Sequence, residues 1–247
     1  MRKRNKSVSY FSEDYYRLKP PRRAPFYPPW IIRFIRRLCH KTGKRILDVG
    51  CGVAWRCKEI ERCIPDAEVV LLDISEFAQR YNKDVVRPKA SIIIGDAVRL
   101  PFQNDSFNLL IAFELIEHIS DVRSAYEEFA RVLHPKGFLL ISTPNLKSIG
   151  VALDSLGLKP NRWFGWRDPT HVSILPPRVH KKIAAACGLR FLSCFYRPLW
   201  DTPYIKGIPK PIQDVFIKHP FLLFQYYFGP RLPCAFSEHV LIVFRKC

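Results

Sequence analysis

Arg45-Ile-Leu-Asp-Val-Gly-Cys-Gly-Val-Ala54 decides the fold. A short apolar run closes on Gly50 and Gly52, and a helical pattern follows over Trp55 to Cys63. An unbroken apolar run of this length reads as a strand covered on both faces. Two glycines spaced by one let the backbone turn tightly and come close to a ligand. The helix behind them then offers unpaired N–H groups. A dinucleotide fingerprint would need a third glycine at position 55, where Trp55 stands. The acid just before the glycines, Asp48, suits a cationic ligand better than a pyrophosphate.

The same texture recurs downstream. Ala67 to Leu72, Ala90 to Ile94, Phe107 to Phe113 and Gly137 to Ser142 are further apolar runs. Helical patterns lie between them at Glu76 to Asp84 and at Val122 to Leu133, the second with Asp121 as N-cap. Strands alternating with helices predict a parallel sheet wound on both faces, and such sheets bind ligands beyond the carboxyl ends of their strands. Each of those ends carries a suitable group. Asp73 can accept hydrogen bonds from two ribose hydroxyls, and Asp96, in Gly95-Asp-Ala97, can accept from an adenine amino group. Glu114 follows the fourth strand. Upstream, Trp30 to Leu38 has a helical stripe. Downstream, a helix over Arg178 to Cys187 ends at Gly188, and Leu189 to Tyr196 and Ala235 to Phe244 read as two last strands.

At this point the sequence resembles the class I S-adenosylmethionine-dependent methyltransferases, in their small-molecule, ubiquinone-biosynthesis-type branch. The residues that carry the resemblance are Arg45 to Gly52, Leu72-Asp-Ile-Ser75, Gly95-Asp-Ala97 with Leu100-Pro-Phe102, Phe107 to His118, and Arg131 to Gly137. They cover roughly residues 44–145. The resemblance implies an α/β fold, a doubly wound Rossmann-like seven-stranded sheet with helices on both faces. Its strand order is 3-2-1-4-5-7-6, with the last strand antiparallel. It also implies that Asp48, Gly50, Cys51 and Gly52 border the methionine end of the cofactor. Asp73, with Ile74 beside it, holds the ribose. Asp96 and Ala97 frame the adenine, and Phe113 sits near the sulfonium. Ala54 replaces the third glycine common in this loop, which tightens it. The implied reaction is in-line transfer of a methyl group to a nucleophile, with alignment as the main task of the protein.

The acceptor is less legible. After the fourth strand the chain reads Phe113-Glu-Leu-Ile116, without the Asn/Asp-Pro-Pro-aromatic motif of nucleic-acid amino methylases and without a nucleophilic cysteine. Both features weigh against methylation of a base. Asp168-Pro-Thr-His171 resembles small-molecule and glycan methyltransferases. His171 is the leading candidate for a catalytic base, because an imidazole exchanges protons near neutral pH. A loop-packing role competes with it. His118, in Glu117-His-Ile119, is the second catalytic candidate, against a role in orienting the adjoining helix. Tyr16, Trp166 and Asp168 are the candidate substrate contacts. Lid packing is open for Trp166 and surface packing for Tyr16. No metal-ligand cluster is read from the spacing of His and Cys.

Charge points the same way. Residues 1–45 hold 14 basic and 2 acidic side chains, a net +12; residues 46–142 are −4; residues 143–247 are +10. An anionic partner is therefore expected at the flanks. Residues 1–43 read as a basic arm with a helix, and 44–247 as the methyltransferase domain, with a lid-like segment at 143–177 and an insertion at 198–233. The aromatic stretch Phe216 to Phe228 suits a membrane surface, a buried hairpin or a dimer contact. No apolar run reaches the ~20 residues of a spanning helix. A soluble cytoplasmic protein is expected. The eight cysteines form no CxxC pair and read as free thiols. Three functions fit: a methyltransferase acting on a small molecule, a glycan or a lipid-linked acceptor; an RNA-directed methyltransferase; and a cofactor-binding module without turnover.

Overall fold

The computed structural model describes residues 29–54, 57–85, 90–148, 151–152, 155, 170–196, 237 and 239–247. Seven strands form one sheet: β1 (Arg45–Val49), β2 (Glu68–Asp73), β3 (Ser91–Ile94), β4 (Phe107–Phe113), β5 (Leu133–Pro144), β6 (Leu189–Phe195) and β7 (His239–Lys246). Their order is β3-β2-β1-β4-β5-β7-β6. β1 to β5 pair in parallel, and β7 runs antiparallel to both β5 and β6. This is the expected doubly wound architecture, down to the reversed last strand.

Period-two alternation divides the core into two layers. Leu47, Val49, Val70, Leu72, Leu110 and Ala112 point to one face. There they meet Val122, Ala125, Tyr126 and Phe129 of a helix at Val122–Val132. Ile46, Val69, Leu71, Leu109 and Ile111 point to the other face, against Ile31, Ile35 and Leu38 of the Pro29–Thr42 helix and Ile60 of the Cys57–Cys63 helix. In chain order these helices are α1 (Pro29–Thr42), α2 (Cys57–Cys63), α3 (Glu76–Val85), α4 (Val122–Val132) and α5 (Pro177–Ala186). The helix of the N-terminal segment thus packs on the same sheet as the rest. Asp121 caps α4, its Oδ1 accepting from Ser124 N at 3.0 Å.

Most strand ends fall within a residue of the sequence reading, and the larger differences are at β5 and β7. β5 begins at Leu133, four residues early, because Phe107 pairs with Leu133 across an irregularity in the β4–β5 register. Inside it, Lys136 takes a positive φ of 68°. β7 runs from His239 to Lys246, past the last apolar residue Phe244, because Arg245 and Lys246 still pair with Phe138 and Leu189. Among the described residues no helix is long and apolar enough to cross a membrane. The seven described cysteines are free thiols.

Candidate active site at the carboxyl edge of the sheet

The β1–α2 loop is built by its two glycines and by the neighbouring strand end. Gly50 and Gly52 take φ of 69° and 53°, a region that disfavours residues with a β-carbon. The N–H groups of Gly50 and Cys51 both donate to Leu72 O, at 2.8 and 3.2 Å. Gly52 N donates to Asp73 Oδ2 at 2.7 Å, and Ser75 N to Asp73 Oδ1 at 2.9 Å. Asp73 is buried, and burial raises its pKa, while the N–H groups of Ser75, Gly52 and Ile74 favour its charged form. α3 closes the loop from the other side. Asn82 accepts from Ala54 N at 2.8 Å and donates to Gly52 O at 2.8 Å, while Gln79 donates to Ile93 O at 2.8 Å. Both amides are buried. Neither was picked out in the sequence, where they are two polar residues three apart on a helix.

The other predicted positions on this edge divide by exposure. Ile74 is an exposed large apolar residue beside Asp73, and Ala97 is buried. Asp96 is exposed, with Oδ1 accepting from Val98 N at 3.1 Å. Asp48 is buried on β1, on the Ile46 side; burial pushes the Cys51 and Cys57 thiols up, and the nearby carboxylates, Asp48 among them, add to this. The Cys51 thiol takes weak contacts from Gln79 and Asn82, at 3.7 and 3.8 Å. Phe113 ends β4 with its ring in the apolar layer under α1 and α2.

The ends of β4, β5 and β7 form a second group. Glu114 takes a φ of 53°, an uncommon conformation for a non-glycine residue. Its N–H donates to Ser142 O at 3.1 Å, and Ser142 Oγ donates to Glu114 Oε1 at 2.7 Å. His239 Nδ1 lies 3.0 Å from Glu114 Oε2. A single 3-10 turn, Ile116–His118, comes next. The segment after β5 returns onto it: Val172 N and Ser173 N both donate to Glu117 O, at 2.8 and 3.0 Å. Ser173 Oγ reaches Ile116 O and Ile119 O. This brings together the two predicted histidines. The rings of His118 and His171 meet edge to face with centroids 4.6 Å apart. His118 Nδ1 lies 2.9 Å from Thr170 Oγ1 and 3.3 Å from Thr170 O.

Glu117 is wholly buried, and neither of its carboxylate oxygens has a partner in hydrogen-bond geometry. Burial drives its pKa well above the ordinary range and the nearby Glu114 carboxylate adds to this, while the Thr143 hydroxyl opposes it. The signal for Glu117 in the sequence is its place between two predicted site positions, which gives no hint of burial. The two groups of residues touch. A β-carbon on Gly50 would lie 2.7 Å from Leu115 Cδ1. Tyr16, Trp166 and Asp168 lie outside the described residues, as do the segment 198–233 and most of the predicted arm.

A doubly wound sheet with a reversed last strand, a glycine loop pinned by the acid of the neighbouring strand, and carboxylates at successive strand ends define the class I methyltransferase fold. Residues 47–141 match the family described as Methyltransferase domain. The sterol 24-C-methyltransferase erg6 of Aspergillus fumigatus is 36% identical over 122 residues, 46% of this chain and 32% of that protein. An O-methyltransferase of Pyrenophora dematioidea is 29% identical over 188 residues, 72% of this chain and 67% of that protein. The chain thus spans about a third of the first of these relatives. The crystal structure of an S-adenosylmethionine-dependent methyltransferase from Aquifex aeolicus has the same fold, with a TM-score of 0.60 at 13% identity over 95% of this chain and 97% of that one. Residues 47–141 thus carry a methyltransferase domain on a class I fold, and methyltransferases of this kind use S-adenosylmethionine as methyl donor.

Proposed function

We propose that the protein transfers a methyl group from S-adenosylmethionine to a hydroxyl of a small, anionic acceptor, such as a glycan, a lipid-linked sugar or a cofactor precursor. The observation that carries this reading is the Gly50–Ala54 loop held by Asp73 and pressed against Leu115. Gly52 N donates to one Asp73 oxygen and Ser75 N to the other, with Ile74 N close by, and a carboxylate offers about four lone-pair sites in all. Acceptor capacity is thus left for a ribose hydroxyl without giving up the loop contacts. Exposed Ile74 offers an apolar face to a purine, and Asp96, Ala97 and the turn after them lie at the next strand end. Asp48, Gly50, Cys51 and Gly52 border the methionine end in this reading. Phe113, its ring in the core, contributes backbone and shape rather than ring contact.

The bound donor supplies a methyl group already activated on a sulfonium. The chain has to orient the acceptor and take its proton. His171 is the candidate base, and His118, held by Thr170, lies against it. Tyr16, Trp166 and Asp168 are proposed acceptor contacts. Residues 1–43 and the segments 143–177 and 198–233 are proposed to cover the mouth of a domain spanning 44–247, in the cytoplasm. The O-methyltransferase named among the relatives favours an oxygen acceptor. The net charge of +18, carried on the flanks, favours an anionic one.

That charge also favours a second reading, an RNA acceptor. Contact of the aromatic insertion with a membrane surface is a further part of the proposal. Incubation with methyl-labelled S-adenosylmethionine and separate pools of anionic glycans, lipid-linked sugars and RNA distinguishes the two. Label in a low-mass acceptor, little affected by salt, is the expected result. Label in RNA, lost steeply as salt rises, would replace the first reading with the second. Binding of the donor without transfer to any pool would leave a module without turnover.

A further inference from the structure

The group around the 3-10 turn holds more than a base. Glu117, His118 and His171 each bring one ligand-type atom to within 4.8 Å of the others. One carboxylate and two imidazoles form the donor set that proteins use for zinc and for non-haem iron and related divalent ions, with further positions left open. Ligand atoms about 2.0–2.2 Å from a common ion lie roughly 3.3 Å apart in tetrahedral geometry. Small side-chain rotations would close the observed spacing to that.

Two further observations point to a ligand here. Glu117 is wholly buried and neither oxygen makes a well-formed hydrogen bond; the Thr143 hydroxyl and the Glu114 carboxyl are its polar neighbours, and neither brings a positive charge to a buried carboxyl group. His118 directs Nδ1 at the hydroxyl and carbonyl of Thr170, the kind of outer contact that fixes the tautomer and orientation of a metal-ligating imidazole. Glu114, close enough to act on Glu117 through its charge, adds negative potential to the site. The backbone is braced for the purpose: Val172 and Ser173 tie the His171 segment to the carbonyl of Glu117 itself.

We propose that Glu117, His118 and His171 bind a single divalent transition-metal ion, with Nε2 of His118 facing the ion. Binding does not depend on the methyl-transfer reading. If both hold, His171 would serve as a ligand instead of as the base, and the ion would acidify the acceptor hydroxyl so that its proton could pass to solvent.

Metal-stripped full-length protein titrated with Co2+, followed by its visible absorption and by calorimetry, tests this. Wild type is expected to bind one equivalent with the spectrum of a nitrogen- and oxygen-ligated ion. His171→Ala and Glu117→Gln should each weaken binding by more than about tenfold, and Thr170→Val by about tenfold or more through His118. His134→Ala, an exposed histidine elsewhere, should change nothing. Circular dichroism and S-adenosylmethionine affinity are measured on every variant, so a misfolded protein is recognised as such and Thr170→Val or Glu117→Gln carries the test. No Co2+ binding by wild type, or equal binding by the His171→Ala and Glu117→Gln proteins, overturns the proposal. Loss of S-adenosylmethionine binding with Co2+ binding intact would strike the methyl-transfer reading alone.

Discussion

The two halves of the sheet's carboxyl edge are built in opposite ways. On the β1–β3 side the loop, Asp73, Asn82 and Gln79 meet each other's hydrogen-bonding groups, all within residues 50–93. On the β4–β5–β7 side the partners come from four distant stretches: Glu114 to His118, Ser142, Thr170 to Ser173, and His239. On that second side the buried Glu117 carboxyl makes no well-formed hydrogen bond, with the Thr143 hydroxyl and the Glu114 carboxyl as its polar neighbours. A region whose polar groups are already met is prepared for a fixed ligand. A region that leaves one buried and unmet is where a variable ligand, or an ion, completes the structure.

If this division is functional, the largest effect belongs to the second side. His171→Ala should lower turnover on an acceptor found by screening by about 10²–10⁴-fold. Calorimetry should show S-adenosylmethionine affinity little changed. Parallel losses in rate and cofactor affinity would mean that the two sides are one site.

The next effect separates site chemistry from global stability. His180 on α5 is fully buried, with Nδ1 2.9 Å from the Tyr126 hydroxyl, in the layer behind the second side. Burial lowers its pKa from 6.5 to about 4. The folded state therefore binds fewer protons than the unfolded state between those values. The contribution is fully present above pH 6.5 and is lost as pH falls toward 4, about 3 kcal/mol in all. Urea unfolding of wild type and His180→Asn across this range should show a shallower loss in the variant. Identical slopes would remove His180 from the account.

Asp73→Ala comes next. It takes away the proposed ribose contacts and the acceptor for Gly52 N, and should weaken S-adenosylmethionine binding by about 1–3 kcal/mol. Turnover at saturating donor should fall much less. Gly50→Ala is the smallest effect and the one that joins the two sides. Its positive φ costs a β-carbon about 1–2 kcal/mol, and Leu115 must shift to admit it. A melting point lowered by a few degrees, with cofactor affinity reduced as well, is expected; an unchanged protein would show that the loop and the 3-10 turn are not mechanically joined.

The fold was legible because its strands are unbroken apolar runs punctuated by Gly50, Asp73 and Gly95, and because each helix carries one apolar stripe. Boundaries failed where pairing, not hydrophobicity, sets the end, as at Leu133 and Lys246. The glycine loop could be read because its parts are contiguous. The meeting of His118 with His171 could be guessed only as two separate candidates, since it depends on the chain after β5 folding back over the turn. The burial of Glu117 had no signature, because an acid at that spacing reads as solvated. Asn82 and Gln79 were missed for a related reason: these two amides sit beside Ala78 on the buried face of α3, against a loop that needs amides.

The central claim is that the Gly50–Ala54 loop and Asp73 form the binding site of S-adenosylmethionine. Calorimetric titration of the purified protein with S-adenosylmethionine, NAD and ATP tests it most directly. One equivalent of S-adenosylmethionine is expected to bind, neither control to bind, and affinity to be lost in the Asp73→Ala protein. Binding that the Asp73 substitution leaves untouched, or no binding at all by a folded protein, would contradict it.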